Sequence, residues 1–488
     1  MPPLLTAGGR PHTLDGMATP EKLTFGTIAE ITAGILAKKF SPVEVVDAYL
    51  ERVAALQPKL NAFVHLDAEG ARKQARAAEA AVSSGATLGP LHGIPLTIKS
   101  CIDAAGWPTP AGSLMRKDYV PQHDAPLVAR LRAAGAIILG NTNTPEYLMA
   151  YETNNSLSGK TSNPWNLSRS SGGSSGGEAA AIASGCSMGG VGSDGGGSVR
   201  VPAHFCGICG LKPTPGRIPS TGHYPPGGGA YGWIGVVGPM ARNVADVRAL
   251  FEVMAGPDAG DALSAPVPLR KVTENDARKL RLGILESDAL GKPTPETKAA
   301  VEGAAKILSD HGFSVEPKRL TGLDRAIELW WYFFGPVIAH LIKHGAASQE
   351  AKMSPMLREF VAIATAQVPM AFDSFEQACA ERDTVRAQIL RQLEDVTVLL
   401  SPVSSEPAFR HGEGNWRSGE KECYRDTMRY SQWLNLAGFP GMSVPLGTSS
   451  EGLPLGVQVI GRPYEEETVL AVAEAIEQGR GPWQAPNI

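Results

Sequence analysis

GGSSGGEAAA, residues 172–181, sets glycines around two serines and then begins a helix-forming run. A second Gly/Ser loop, GSDGGGSVRVP, follows at residues 192–202. Glycine loses more backbone freedom on folding than any other residue, so two dense clusters need a local reason. In DGGGS (194–198) the stacked glycines expose backbone N–H groups ahead of a helical-looking start, the pattern of an anion-binding nest. A nest beside a serine suits acyl transfer, which needs a nucleophile and donors aimed at a developing oxyanion. Two plain turns or a phosphate site are the alternatives.

A serine nucleophile needs a base. Lys99 closes the apolar run IPLTIK (94–99), and a lysine at a buried strand end is desolvated, which favours the neutral amine. A solvated strand-end lysine is the commoner case. His92 and His204 lie near the loops and keep a histidine-based triad open, although no Ser/His/Asp order singles either out. GSSGG (173–177) matches the G-x-S-x-G elbow on Ser175, but the preceding NPWNLSRSSG reads as a poor strand. GVGSDG (190–195) and GGGAYG (227–232) match G-x-G-x-x-G without opening a clear βαβ unit. CGIC (206–209) lacks a second cysteine pair at zinc-ribbon spacing and reads as small buried residues behind a loop.

Around these loops helix and strand alternate. SPVEVVDAYLERV (41–53) carries a serine cap, a proline at the first helical position and Glu44 to complete a capping box. Residues 27–39, 67–82, a capped 124–135, 176–186, 243–256 and 294–312 also read as helices. Buried strands are expected at 94–100, 136–140, 187–192, 280–285, 395–402 and 456–461. This alternation predicts an α/β fold with a sheet covered on both faces. Residues 257–278 are the best linker candidate, and 323–393 look mainly helical.

The chain has 488 residues, 43% of them apolar and 19% charged, with a formal charge of −4. No basic run is visible, which argues against nucleic-acid binding as the main role. Six cysteines form no disulfide framework, so a reducing, cytoplasmic compartment is expected. Residues 1–22 hold no apolar signal-peptide core and read as a mobile polar tail; no membrane span is expected.

With these segments in view, the sequence resembles the amidase signature family, whose hallmark joins GGSSGG to D-x-G-G-S-[IV]-R-x-P and CG-x-x-GLKPT. The matching stretches are GGSSGGEAAAIASG, DGGGSVRVPAHFCGICGLKPTPGR and, upstream, LHGIPLTIKS. Lys99, Ser174 and Ser198 are spaced by 75 and 24 residues, as in the family. GNTNTPEY, GKTSNPWN, GPMARNVAD and GLPLGVQVIGRP extend the likeness from about residue 24 to 478. The resemblance implies an amidase-signature fold, with a large twisted mixed sheet and helices on both faces. It implies one domain over 23–488, with a signature core at about 90–256 and a variable pocket-forming region at about 323–393.

By position, the resemblance makes Ser198 the nucleophile, Ser174 a bridging serine after a cis peptide bond, and Lys99 the terminal base. It places the oxyanion hole on Gly195, Gly196, Gly197 and Ser198, with Ser175, Asp194 and Arg200 as supports behind them. Gly195 stands where the family often has Thr or Ile, and His204 replaces a commoner small or polar residue. No metal or organic cofactor is required. The neighbourhood looks more like the fatty-acid-amide-hydrolase branch, and LWWYFF (329–334) would offer apolar walls to such a substrate, although an aromatic run on a helix is more often core. The expectation is therefore hydrolysis of apolar or aryl amides, with esters and carbamates also accessible. The implied partners are that small-molecule substrate and at most a second copy of the chain, with no nucleic acid. The alternative is a glutamine-dependent amidotransferase subunit that needs a partner protein.

Overall fold

The computed structural model describes residues 19–346, 348–367, 371–413 and 426–488. The tail expected over 1–22 therefore falls mostly outside the described residues.

The core is an 11-stranded mixed sheet. Its strands are β1 (Phe63–Leu66), β2 (Pro95–Lys99), β3 (Ile137–Thr142), β4 (Gly189–Asp194), β5 (Cys209–Lys212) and β6 (Val236–Ala241). The remainder are β7 (Arg281–Glu286), β8 (Ser314–Arg319), β9 (Val398–Pro402), β10 (Gly441–Thr448) and β11 (Pro454–Gly461). Across the sheet they run β1-β3-β2-β4-β6-β5-β10-β11-β9-β7-β8. β2 lies parallel to both β3 and β4, β7 is parallel to β8 and β9, and the centre is antiparallel. Every residue of β2, β3, β4, β6 and β11 is buried, as strands with helices on both faces must be.

Local sequence explains many elements. Helix Pro42–Leu60 starts on the Ser41–Glu44 capping box with Pro42 at its first position. Helix Pro295–Asp310 starts on Thr294 in the same style. The expected cap on the helix near 124 is different. Ala125 holds the cap position of Pro126–Ala133 without a side-chain bond, because Asp124 accepts from Ala105 N (2.7 Å) and pairs with Arg132 (3.0 Å). β5 and β10 have weak strand signatures. β10 holds Pro445 and two glycines, Gly441 and Gly447, a poor pattern for an inner strand. The sheet absorbs the proline at a register shift between Pro445 and Gly447.

This topology places the chemistry. β2 and β4 are parallel neighbours, with Ile98 opposite Val191. Lys99 therefore leaves the sheet at the same edge as the loop after Asp194. Helix Gly176–Ala183 packs between this edge and β3, and brings Ser174 and Ser175 to it. The region 323–393 is helical where described, with helices Leu323–Tyr332, Ile338–Gly345, Pro355–Gln367 and Phe372–Gln392. Among the described residues no helix is long and apolar enough to cross a membrane.

Candidate active site

Lys99 is fully buried, and its Nζ lies among serine hydroxyls. The distances are 2.6 Å to Ser174 Oγ, 2.9 Å to Ser175 Oγ and 3.1 Å to Ser193 Oγ. Burial pushes the amine down to about 8, against smaller opposing effects of Cys101, Asp194 and Glu178. Ser175 donates to Ser193 O (3.3 Å), so its oxygen is left to accept from Nζ. The Gly173–Ser174 peptide bond is cis. A short strand, Asn166–Ser170, does precede this loop, but it pairs in a two-stranded ribbon outside the main sheet.

Ser198 sits on the second loop. It retains 7% exposure while Lys99 and Ser174 retain none, so it is the member of this group that solvent reaches. The two loops meet through Ser175 N, which donates to Ser198 O at 3.2 Å. No hydrogen bond joins the Ser174 and Ser198 hydroxyls among the described residues.

Asp194 shapes the nest. Its carboxylate accepts from Gly197 N (2.7 Å) and Val199 N (3.0 Å), and from Arg200 Nε (3.0 Å) and Nη2 (2.9 Å). Burial alone would raise this carboxyl, but the Arg200 guanidinium holds it well below the usual carboxylate range. Arg200 is held in turn by Gln458 Oε1 (2.6 Å), Asn435 Oδ1 (2.7 Å) and Ser431 O (3.1 Å). Gly197 has φ 121°, a left-handed value that turns the chain here and favours glycine. One expected oxyanion donor is therefore corrected: the Gly197 amide is occupied by Asp194. The amides of Gly195, Gly196 and Ser198 have no such partner among the described residues.

The carbonyls of the nest face outward to aromatic residues. Trp330 Nε1 donates to Gly195 O (2.7 Å), and Tyr151 OH donates to Gly196 O (2.8 Å). These bonds fix the peptide planes and so turn the following N–H groups the other way. Trp330 stacks on Phe334 with centroids 4.9 Å apart, and Phe334 and Tyr231 flank Gly195. Tyr151, Ser193, Asn435 and Gln458 escape sequence reasoning because each lies far along the chain from the residue it serves.

His204 is a satisfied core residue. Its Nδ1 accepts from Gly456 N (2.9 Å), Nε2 donates to Glu406 O (3.3 Å), and burial pushes it down to about 4. His92 bonds Ala78 O at 3.0 Å. Cys206 and Cys209 are buried, Cys206 against Ser171 O and Cys209 in β5.

The Asp194–Arg200 pair gives a stability test. Arg200→Met leaves a buried carboxylate unpaired, so unfolding in urea should show a loss of about 3–5 kcal/mol. A change within experimental error would mean that the pair does not organise this loop.

A model of the amidase family matches residues 44–470. The chain belongs to the amidase family. The A subunit of a glutamyl-tRNA(Gln) amidotransferase from Roseiflexus sp. (strain RS-1) is 36% identical over 482 residues, covering 93% of this chain and 96% of that protein. Other relatives of the same name are 35% and 33% identical. The structure of the Thermotoga maritima protein of that name superposes with a TM-score of 0.77 at 27% identity, over 96% of this chain and 99% of that one. A bacterial aryl acylamidase of the amidase signature family superposes at 0.81 and 26% identity, over 93% and 96%. The sheet, the covering helices and hydrolysis of amide C–N bonds follow from this membership. The expectation about partners is overturned. The curated relatives are named as one subunit of an amidotransferase for a charged tRNA, which does not fit a small-molecule substrate alone with no nucleic acid and at most a homodimer.

Proposed function

We propose that this amidase acts as the amide-cleaving subunit of a glutamine-dependent amidotransferase, releasing ammonia through an acyl-enzyme on Ser198. The observation that carries the reading is full-length identity above 30% to proteins of that name. In the proposed cycle neutral Lys99 takes the proton of Ser174, and Ser174 takes that of Ser198. Ser198 Oγ attacks the amide carbon, and the amides of Gly195, Gly196 and Ser198 receive the oxyanion. The C–N bond breaks as the relay returns a proton to the leaving nitrogen. Water then adds to the ester, and its proton follows the same path until the acid leaves. The cycle needs a Ser174–Ser198 hydrogen bond, and such contacts commonly tighten only with substrate bound.

The test is ammonia release from glutamine by the chain alone, then with the companion subunits of a bacterial glutamyl-tRNA(Gln) amidotransferase and the charged tRNA. At least a tenfold stimulation by the companions is expected. One observation favours a second reading. The wall of Trp330, Phe334 and Tyr231 beside the nest is apolar and suits an aryl or aliphatic group. Turnover of anilides by the chain alone, with no use of glutamine, would establish that reading in place of the first.

A further inference from the structure

Glu178 is a fully buried carboxyl one turn into the helix Gly176–Ala183, on the face of the sheet from which Thr97 and Lys99 both project. Its Oε2 accepts from Thr142 Oγ1 at 2.6 Å, and its Oε1 meets Thr97 Oγ1. Thr97 Oγ1 also donates to Ser187 Oγ at 3.0 Å, and Ser187 Oγ donates to Gly189 O at 2.7 Å. The proton count along this chain decides the charge. Glu178, Thr97, Ser187 and the Gly189 carbonyl share three contacts, while the two hydroxyls supply only two protons. With an ionised Glu178, one buried contact is left as two lone pairs facing each other. A proton on Glu178 completes the chain: carboxyl to Thr97, Thr97 to Ser187, Ser187 to Gly189 O.

We propose that Glu178 is held as a neutral carboxylic acid, and that it acts as a positioning residue which leaves Lys99 without an anion on its own face of the sheet. The surroundings agree. Thr97 and Lys99 project from β2, Thr142 from β3, and the β4 backbone closes in at Gly190, where any side chain would strike the carboxyl. The charged group that bears on Glu178 is Lys99. The nearby Arg242 is turned away onto the carbonyls of Ile182 (3.2 Å) and Ser187 (2.8 Å). Burial pushes Glu178 up, against the hydrogen bonds of Thr142 and Thr97, the direction that the proton count requires. An ionised Glu178 would favour ammonium at Lys99, which cannot accept a proton from Ser174. A neutral acid at this position lets the amine lose its proton at lower pH. This inference rests on the proposed role of Lys99, but its test needs neither glutamine nor a partner.

Infrared difference spectra of the full chain, wild type minus Glu178→Gln, should show a protonated-carboxyl band at pH 8, where Lys99 is poised to act. Carboxylate bands alone would overturn the proposal. The second measurement is the pH dependence of Ser198 labelling by a fluorophosphonate. Glu178→Gln replaces one neutral group by another, so the midpoint of the acid limb should stay in place. If Glu178 were an anion, its removal would lower the limb by about one pH unit or more, and that result would also sink the idea. Should Glu178→Gln not fold, Thr142→Val serves instead. It removes the donor to Oε2, so the carboxyl band should move to higher frequency; no carboxyl band sensitive to Thr142 would count against the proposal.

Discussion

Ser198→Ala should abolish turnover of whichever amide the chain cleaves, with a fall in kcat on the order of 10⁶. The alanine removes the hydroxyl proposed as the nucleophile, which keeps 7% exposure where Ser174 and Lys99 keep none. It leaves the loop intact, because the loop is held by the Ser198 carbonyl on Ser175 N, by Asp194 on the Gly197 and Val199 amides, and by Trp330 and Tyr151 on the glycine carbonyls. The melting temperature should therefore stay near that of wild type. Steady-state kinetics on both proteins check this, with fluorophosphonate labelling as the readout of the nucleophile itself. Activity within tenfold of wild type would mean that the nucleophile lies elsewhere.

Loss of the base is the second large effect. Lys99→Met is expected to lower kcat by about 10²–10⁴, the usual range for a general base. It should also change the shape of the pH profile. Burial holds the Lys99 amine at about 8, and in the proposed relay its neutral form is the base. The wild-type rate should then rise tenfold per pH unit up to about pH 8 and level off, while Lys99→Met shows no such limb. Lys99→Arg should not restore activity, because a guanidinium stays charged throughout. Stability follows the same titration with a definite sign. Between about 8 and the ordinary lysine value the unfolded chain binds more protons than the folded one, so wild type gains stability as pH rises through that window. Chemical denaturation across this range should show the gain in wild type and not in Lys99→Met. A pH profile unchanged by the substitution would remove Lys99 from the mechanism.

Local sequence reached far where the physics is local. The Ser41–Glu44 capping box, the Thr294–Pro295 helix start and the apolar runs of β2 and β3 are written in neighbouring residues, and the structure places them within a few positions of expectation. The two glycine loops were legible for the same reason, since only a special backbone demands so many glycines. β5 and β10 were not, because a proline and glycines inside β10 mask its pairing, and only partners on both sides make it a strand. LWWYFF reads more readily as core than as pocket, and the structure buries Trp330 with its Nε1 on Gly195 O across 135 residues.

The sequence by itself therefore determined the α/β alternation, the two special loops and the residue types able to do acyl chemistry. Tertiary structure alone decided their state. The protonation of Lys99 depends on burial and on Ser174, Ser175 and Ser193 surrounding it; which amides of the nest are free depends on Asp194, and the orientation of Asp194 depends on Arg200, Asn435 and Gln458. Desolvation and hydrogen-bond occupancy are properties of a neighbourhood in space, and these neighbours are brought together only when β2, β4 and the distant β11 join one sheet.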